Sequence, residues 1–142
     1  MKNIFTKLSA LLLVLIVACF AIVSCGDAKD KTDDAEHTED TTIGTGNTEF
    51  IFEVEHLNGS VVKFTVKTDK TILSEALLEN NLIAGDNGQY GLYVKTVDGV
   101  TYDYDTDGVY WALYVDGEYA LVGVDSQTIE AGHTYKFKAE RS

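Results

Sequence analysis

Residues 110–121 read Tyr-Trp-Ala-Leu-Tyr-Val-Asp-Gly-Glu-Tyr-Ala-Leu. Trp111, Leu113 and Val115 alternate with Tyr110, Ala112 and Tyr114, the period of two that marks a strand with unlike faces. Asp116-Gly117 follows, a dipeptide that tolerates positive φ and turns the chain back on itself. If the Trp111–Leu113 face meets the core, Tyr110 and Tyr114 lie on the open side of a sheet. The stretch therefore reads as one hairpin of a sheet that is apolar on one face and tyrosine-rich on the other.

The same pattern recurs upstream. Phe50, Phe52 and Val54 alternate with Glu53 and Glu55, and Val62, Phe64 and Val66 continue the pattern with Lys63 and Lys67 outward. A two-residue Asn58-Gly59 turn would set Val54 opposite Lys63 and place a charge on the apolar face. A three-residue loop, Leu57-Asn58-Gly59 with Gly59 left-handed, instead pairs Val54 with Val62. Applied to Val97-Asp98-Gly99, the same rule sets Val94 opposite Tyr102 and Leu92 opposite Tyr104. Applied to Val115-Asp116-Gly117, it sets Leu113 opposite Tyr119 and Trp111 opposite Leu121.

One helix interrupts the strands, from an N-cap at Thr71 to about Asn80, with Leu73, Ala76, Leu77 and, at its edge, Leu78 as candidates for its apolar stripe. Asn80-Asn81 suits a left-handed stop, after which Leu82-Ile83 tucks under. The last strand is Tyr135–Ala139, after a turn at Gly132. The order is ββαββββ: an α+β fold, a sheet of hairpins with one helix packed on one face.

The rest of the 142 residues divides into two unlike segments. Residues 1–24 carry Lys2 and Lys7, then an almost wholly apolar run over 8–23, the marks of a secretory signal. Residues 25–47 hold seven acids, two Lys, a single aliphatic residue larger than Ala and no aromatic, so they read as a disordered acidic tether. The folded domain is residues 48–142. Both Cys, Cys19 and Cys25, lie in the signal region, leaving the domain without a disulfide, a Cys nucleophile or a Cys zinc site. A net charge of −12 argues against nucleic acid, which is held by clustered Lys and Arg.

Two resemblances add to this reading. Ile22-Val23-Ser24-Cys25-Gly26 resembles the bacterial lipobox, which implies lipidation of Cys25, cleavage before it, and anchoring of the mature chain in the cell membrane on its extracytoplasmic face. Thr71-Ile72-Leu73-Ser74-Glu75-Ala76-Leu77, then Trp111-Ala112-Leu113-Tyr114-Val115-Asp116-Gly117-Glu118 and Gly123, resemble the DUF4430, or transcobalamin-like C-terminal, family. The resemblance implies a β-grasp (ubiquitin-like) fold. It departs from the family at Asp116, where Asn is usual, and at Gly132-His133, where Gly-Asp often precedes the last strand. Animal relatives use the domain as half of a corrinoid-binding cleft, the other half being a helical domain, so cobalamin is the ligand that the resemblance suggests.

Three sets of residues could carry chemistry. Tyr110, Trp111, Tyr114 and Tyr119, with Tyr102 and Tyr104 nearby, offer flat apolar area with hydroxyls, suited to ligand or partner contact. Asp103-Tyr-Asp105-Thr-Asp107-Gly108 matches the first half of a calcium loop, but position twelve is Tyr114 rather than Glu, and the alternative is a solvated strand connection. The two histidines of the domain, His56 and His133, have no nucleophile elbow, phosphate loop or second ligand at metal-site spacing. The sequence thus points away from an enzyme and toward a lipid-anchored binding module with no cofactor of its own. Its partners would be the membrane, through the lipid, and either a small molecule or another envelope protein met at a sheet edge or at the tyrosine patch.

Overall fold

Alternation sustained over eight residues fixes two strands face to face. The computed structural model describes residues 41–142; the expected signal, Cys25 and the tether up to Asp40 lie outside the described residues. Strands β1 (Thr41–Gly44), β2 (Thr48–Glu55) and β3 (Val61–Thr68) open the fold. β2 and β3 pair antiparallel with Val54 opposite Val62 and Phe52 opposite Phe64, and Gly59 takes φ 86°. This is the three-residue loop that face matching demands.

The tether ends earlier than composition suggests. Thr41–Gly44, assigned above to the disordered segment, runs parallel to β3 with Ile43 packed against the core. Gly44 and Gly46 make this approach possible, since a Cβ at Gly46 would lie 2.1 Å from the Thr68 carbonyl carbon. One apolar side chain and two well-placed glycines suffice to add an edge strand.

Helix α1 (Leu73–Glu79) buries Leu73, Ser74, Ala76 and Leu77. It begins two residues after the expected Thr71 cap and has no side-chain cap. The Leu73 and Ser74 N–H groups instead donate to the Gln127 and Val124 carbonyls, so a distant loop satisfies the helix start. Asn81, at φ 56°, supplies the left-handed stop, and Leu82 and Ile83 are buried as expected.

A second, three-stranded antiparallel sheet follows: β4 (Ile83–Gly88), β5 (Gly91–Val97) and β6 (Val100–Thr101). β4 carries no alternation and is mostly exposed, which is why the sequence does not announce it. Its pairing shows at Gly85, where a Cβ would lie 1.9 Å from the Tyr93 carbonyl oxygen, beside a register shift at Ala84/Gly85. A helical turn, α2 (Tyr104–Asp107), then leads into β7 (Val109–Val115), β8 (Glu118–Tyr119) and β9 (Thr134–Arg141).

β9 enters the middle of the first sheet, parallel to β2 and antiparallel to β7, giving the order β1-β3-β2-β9-β7-β8. One face of this mixed sheet meets α1 over a core that includes Phe50, Phe52, Val66, Trp111, Tyr135 and Phe137. Among the described residues no helix is long and apolar enough to cross a membrane. The architecture is α+β, with more strands than the expected order.

Two hairpins are tighter than face matching predicts. Val97 pairs with Val100 and Thr96 with Thr101; Val115 pairs with Glu118 and Tyr114 with Tyr119. Both turns hold two residues, with Asp98-Gly99 at φ 47° and 75° and Asp116-Gly117 at φ 49° and 84°. Positive φ at both central positions is the type I′ condition that Asp-Gly favours. Face matching fails here because β6 and β8 are two residues long and bury no continuous face, so turn chemistry sets the register.

Candidate functional site

The two-residue turn decides where Tyr119 goes. Expected opposite Leu113 on the core side, it lies opposite Tyr114 on the open face, with the two rings 5.1 Å apart and edge to face. Tyr110 and Tyr114 occupy that same face, as the alternation of β7 requires. Their hydroxyls converge on one carboxylate: Tyr110 donates to Glu140 Oε2 at 3.0 Å and Tyr114 to Glu140 Oε1 at 2.5 Å. Tyr104, from α2, sets its ring 6.3 Å from that of Tyr110. The hydrogen bonds to Glu140, with burial second, push both phenols up to about 12.

Trp111, named above among the contact residues, takes no part in this face. It is 7% exposed, belongs to the core, and donates its indole N–H to the Lys95 carbonyl at 3.1 Å. Tyr102 packs on it at 5.3 Å and His56 at 6.2 Å. The aromatic cluster of the sequence is therefore two clusters on opposite faces of β7.

The tyrosine corner borders a depression of about 510 Å³ lined by Val115, Asp116, Glu118, Tyr119, Ala120, Leu121 and Gln127. Tyr119 is 57% exposed and Leu121 fully so, an aromatic ring and an aliphatic chain held in water beside two carboxylates. One wall is rigid. Asp116 Oδ1 accepts the Thr134 N–H at 2.9 Å, and Oδ2 lies 2.5 Å from His133 Nδ1. These contacts, the Thr134 N–H first, hold the Asp116 carboxyl below its ordinary range. His133 Nε2 lies 3.0 Å from Glu130, so the histidine braces a turn between two carboxylates.

The calcium half-motif does not assemble. Asp103 caps α2, accepting the Asp105 N–H at 3.0 Å, and also meets Lys95 at 3.4 Å. Asp107 turns back to accept the Asp103 N–H at 2.8 Å. A helical turn whose carboxylates serve its own backbone cannot point all three at one ion, and the described residues contain no group of three or more His, Cys, Asp or Glu placed to hold a metal.

Away from the corner, the open face is a lattice of charges. Lys63 meets Glu53 at 3.3 Å, Lys136 meets Glu53 and Glu55 at 3.2 Å each, and Lys138 meets Glu55 at 3.3 Å. Burial works against the charged form of Glu55, yet Lys136 and Lys138 together hold it below its ordinary range. Sequence reasoning names Tyr110, Tyr114 and Tyr119 as contact residues but not Leu121, which it sets opposite Trp111; β8 ends at Tyr119, and Leu121 stands beyond it, fully exposed.

A family model described as "Domain of unknown function (DUF4430)" matches residues 69–141, just over half of the chain. The chain belongs to the DUF4430 family. The matched segment runs from the approach to α1 through β9 and holds the tyrosine corner and the depression. Among solved structures, the DUF4430 chain resembles a protein from Ruminococcus gnavus ATCC 29149 named "a putative metal binding protein". The TM-score is 0.64 at 27% identity, over 68% of this chain and 99% of that one. It also resembles haptocorrin in complex with Cbi, with TM-score 0.51 at 19% identity, over 70% of this chain and 26% of that one. The second likeness speaks to the fold. No curated protein matches the chain.

Proposed function

We propose that this DUF4430 domain is a non-catalytic binding module of β-grasp type, and that it takes an amphipathic small molecule of corrinoid-like character at the tyrosine corner. The carrying observation is the crossing of Tyr119 onto the Tyr114 face, beside a depression of about 510 Å³. Tyr119 and Leu121 supply apolar contact, while Glu118 and Gln127 supply hydrogen-bonding groups at the edge. Family membership and the shared fold with haptocorrin support the ligand class. Tyr110 and Tyr114, locked to Glu140, stiffen the wall behind Tyr119, so that little side-chain freedom is lost on binding.

The same proposal places the module outside the cytoplasm on a lipid at Cys25, with the acidic stretch ahead of Thr41 as spacer. The fold suits such display: the chain enters the sheet at β1, and the binding corner lies at β8, the opposite edge of the six strands.

Cobalamin titrated into the full chain tests the ligand. Trp111 is the single tryptophan, and a bound corrinoid should quench its emission saturably. Tyr119→Ala should weaken that response about tenfold, the loss of one good aromatic contact. No saturable quenching at high micromolar cobalamin would sink the ligand assignment.

A further inference from the structure

The loop after β8 and the β4–β5 turn carry exposed apolar side chains, of which only Leu121 also serves the corner. Leu121 is 100% exposed, Val122 46% and Tyr90 95%. Asp125 ties the two loops together: its Oδ2 accepts the Leu92 N–H at 2.5 Å, and a Cβ at Gly91 would lie 2.7 Å from that oxygen. Only glycine at position 91 permits so close an approach. Tyr90 thus stands one residue from the clamp and Val122 three, on loops that cannot drift apart without breaking it. Scattered exposed apolar residues are ordinary, but these three stand on two loops that the Leu92–Asp125 hydrogen bond joins.

Charge says what could cover that surface. Residues 96–135 contain eight Asp and Glu and no Lys or Arg. The cations Lys63, Lys136 and Lys138 are paired on the open sheet face, while Glu118 and Asp125 flank the exposed loop. An anionic bilayer or nucleic acid would be repelled by such a rim, and so would a second copy of this chain. An apolar centre with a charged rim is the layout of a protein–protein contact, whose rim charges set partner choice and encounter rate.

We infer that Tyr90, Leu121 and Val122 form a docking surface for a protein partner that presents an apolar socket rimmed by Lys and Arg. This surface is additional to the small-molecule corner. Leu121 borders both, whereas Tyr90 and Val122 line only the docking surface.

The test uses the full chain and a lysine–leucine amphipathic helical peptide as a stand-in for the basic, apolar partner surface. The peptide should bind, more weakly as salt rises, and the charge-neutral double variant Tyr90→Ser, Val122→Ser should lower its affinity at least about tenfold. Both side chains are exposed, so the variant should keep its melting midpoint, and Leu78→Ser, an exposed apolar position elsewhere, should leave peptide binding unchanged. Unaltered affinity in the double variant would reduce the interaction to bulk charge and overturn the inference. Equal binding by a glutamate–leucine peptide would do the same, as would anionic lipid vesicles captured through Tyr90 and Val122. Cobalamin quenching is read on the same double variant, which leaves the depression intact. Loss of peptide binding with quenching retained therefore isolates this surface, and absent quenching with peptide dependence intact counts only against the ligand.

Discussion

The hairpins β2–β3 and β7–β8 use turns of similar chemistry for opposite ends. In the first, Leu57-Asn58-Gly59 closes two eight-residue strands whose apolar face is buried at Phe50, Phe52, Val54, Phe64 and Val66, and the core sets the register. In the second, Asp116-Gly117 joins seven residues to two, and the turn alone sets the register. Outward groups differ accordingly. β2 and β3 show the solvent paired Glu and Lys, while β7 and β8 show it Tyr110, Tyr114 and Tyr119. A register fixed by burial carries stability, whereas one fixed by a turn is free to present side chains that the core does not need.

Breaking each hairpin should have unlike consequences. Phe52 is fully buried in the first, and Phe52→Ala should cost about 3–5 kcal/mol in denaturant unfolding. Gly59→Ala and Gly117→Ala make the sharper pair. Both glycines have positive φ (86° and 84°) and open space around the missing Cβ, so each substitution should cost about 1 kcal/mol from backbone strain alone. Only Gly117→Ala should also weaken cobalamin quenching, because only there does the turn hold a contact residue in place. Equal ligand responses would mean that the β7–β8 register is held by something other than its turn.

Titration reads the corner directly. Tyr110 and Tyr114, raised to about 12, should keep their protons above pH 10, about where a free phenol ionises. Because the folded pKa lies above the unfolded value of about 10, the contribution of the pair to stability is complete below pH 10 and is lost as pH rises through about 12. Glu140→Gln should bring both tyrosines down, seen as tyrosinate absorbance at lower pH; an unchanged titration curve would break the link to Glu140. The smallest effect belongs to the charge lattice. Lys63→Met removes a half-exposed partner of Glu53 and should change stability by less than about 1 kcal/mol.

The legible parts of the fold are those where one chain segment carries its own answer. Alternation placed Phe50, Phe52, Tyr110 and Tyr114 on their correct faces, since the side-chain period of a strand needs no tertiary information. β1 was hidden because its attachment rests on Gly44 and Gly46 fitting against β3, a matter of backbone approach that polar composition cannot show. The start of α1 was misplaced because its N–H groups are satisfied by the Val124 and Gln127 carbonyls, which only the closed fold brings there. Tyr119 changes face for a single reason, a turn one residue shorter than face matching demands, and Leu121 follows a strand that stops at Tyr119. That one residue decides which face Tyr119 presents, and no depression between loops is visible before the loops are placed.

Backbone amide shifts of the full chain, followed as cobalamin is added, test the central claim most directly. The account predicts saturable shifts confined to Tyr114, Val115, Glu118, Tyr119, Ala120 and Gln127, with the β2–β3 lattice around Glu53 and Lys63 unmoved. Shifts centred on that lattice, or no shift at all at high micromolar cobalamin, would contradict it.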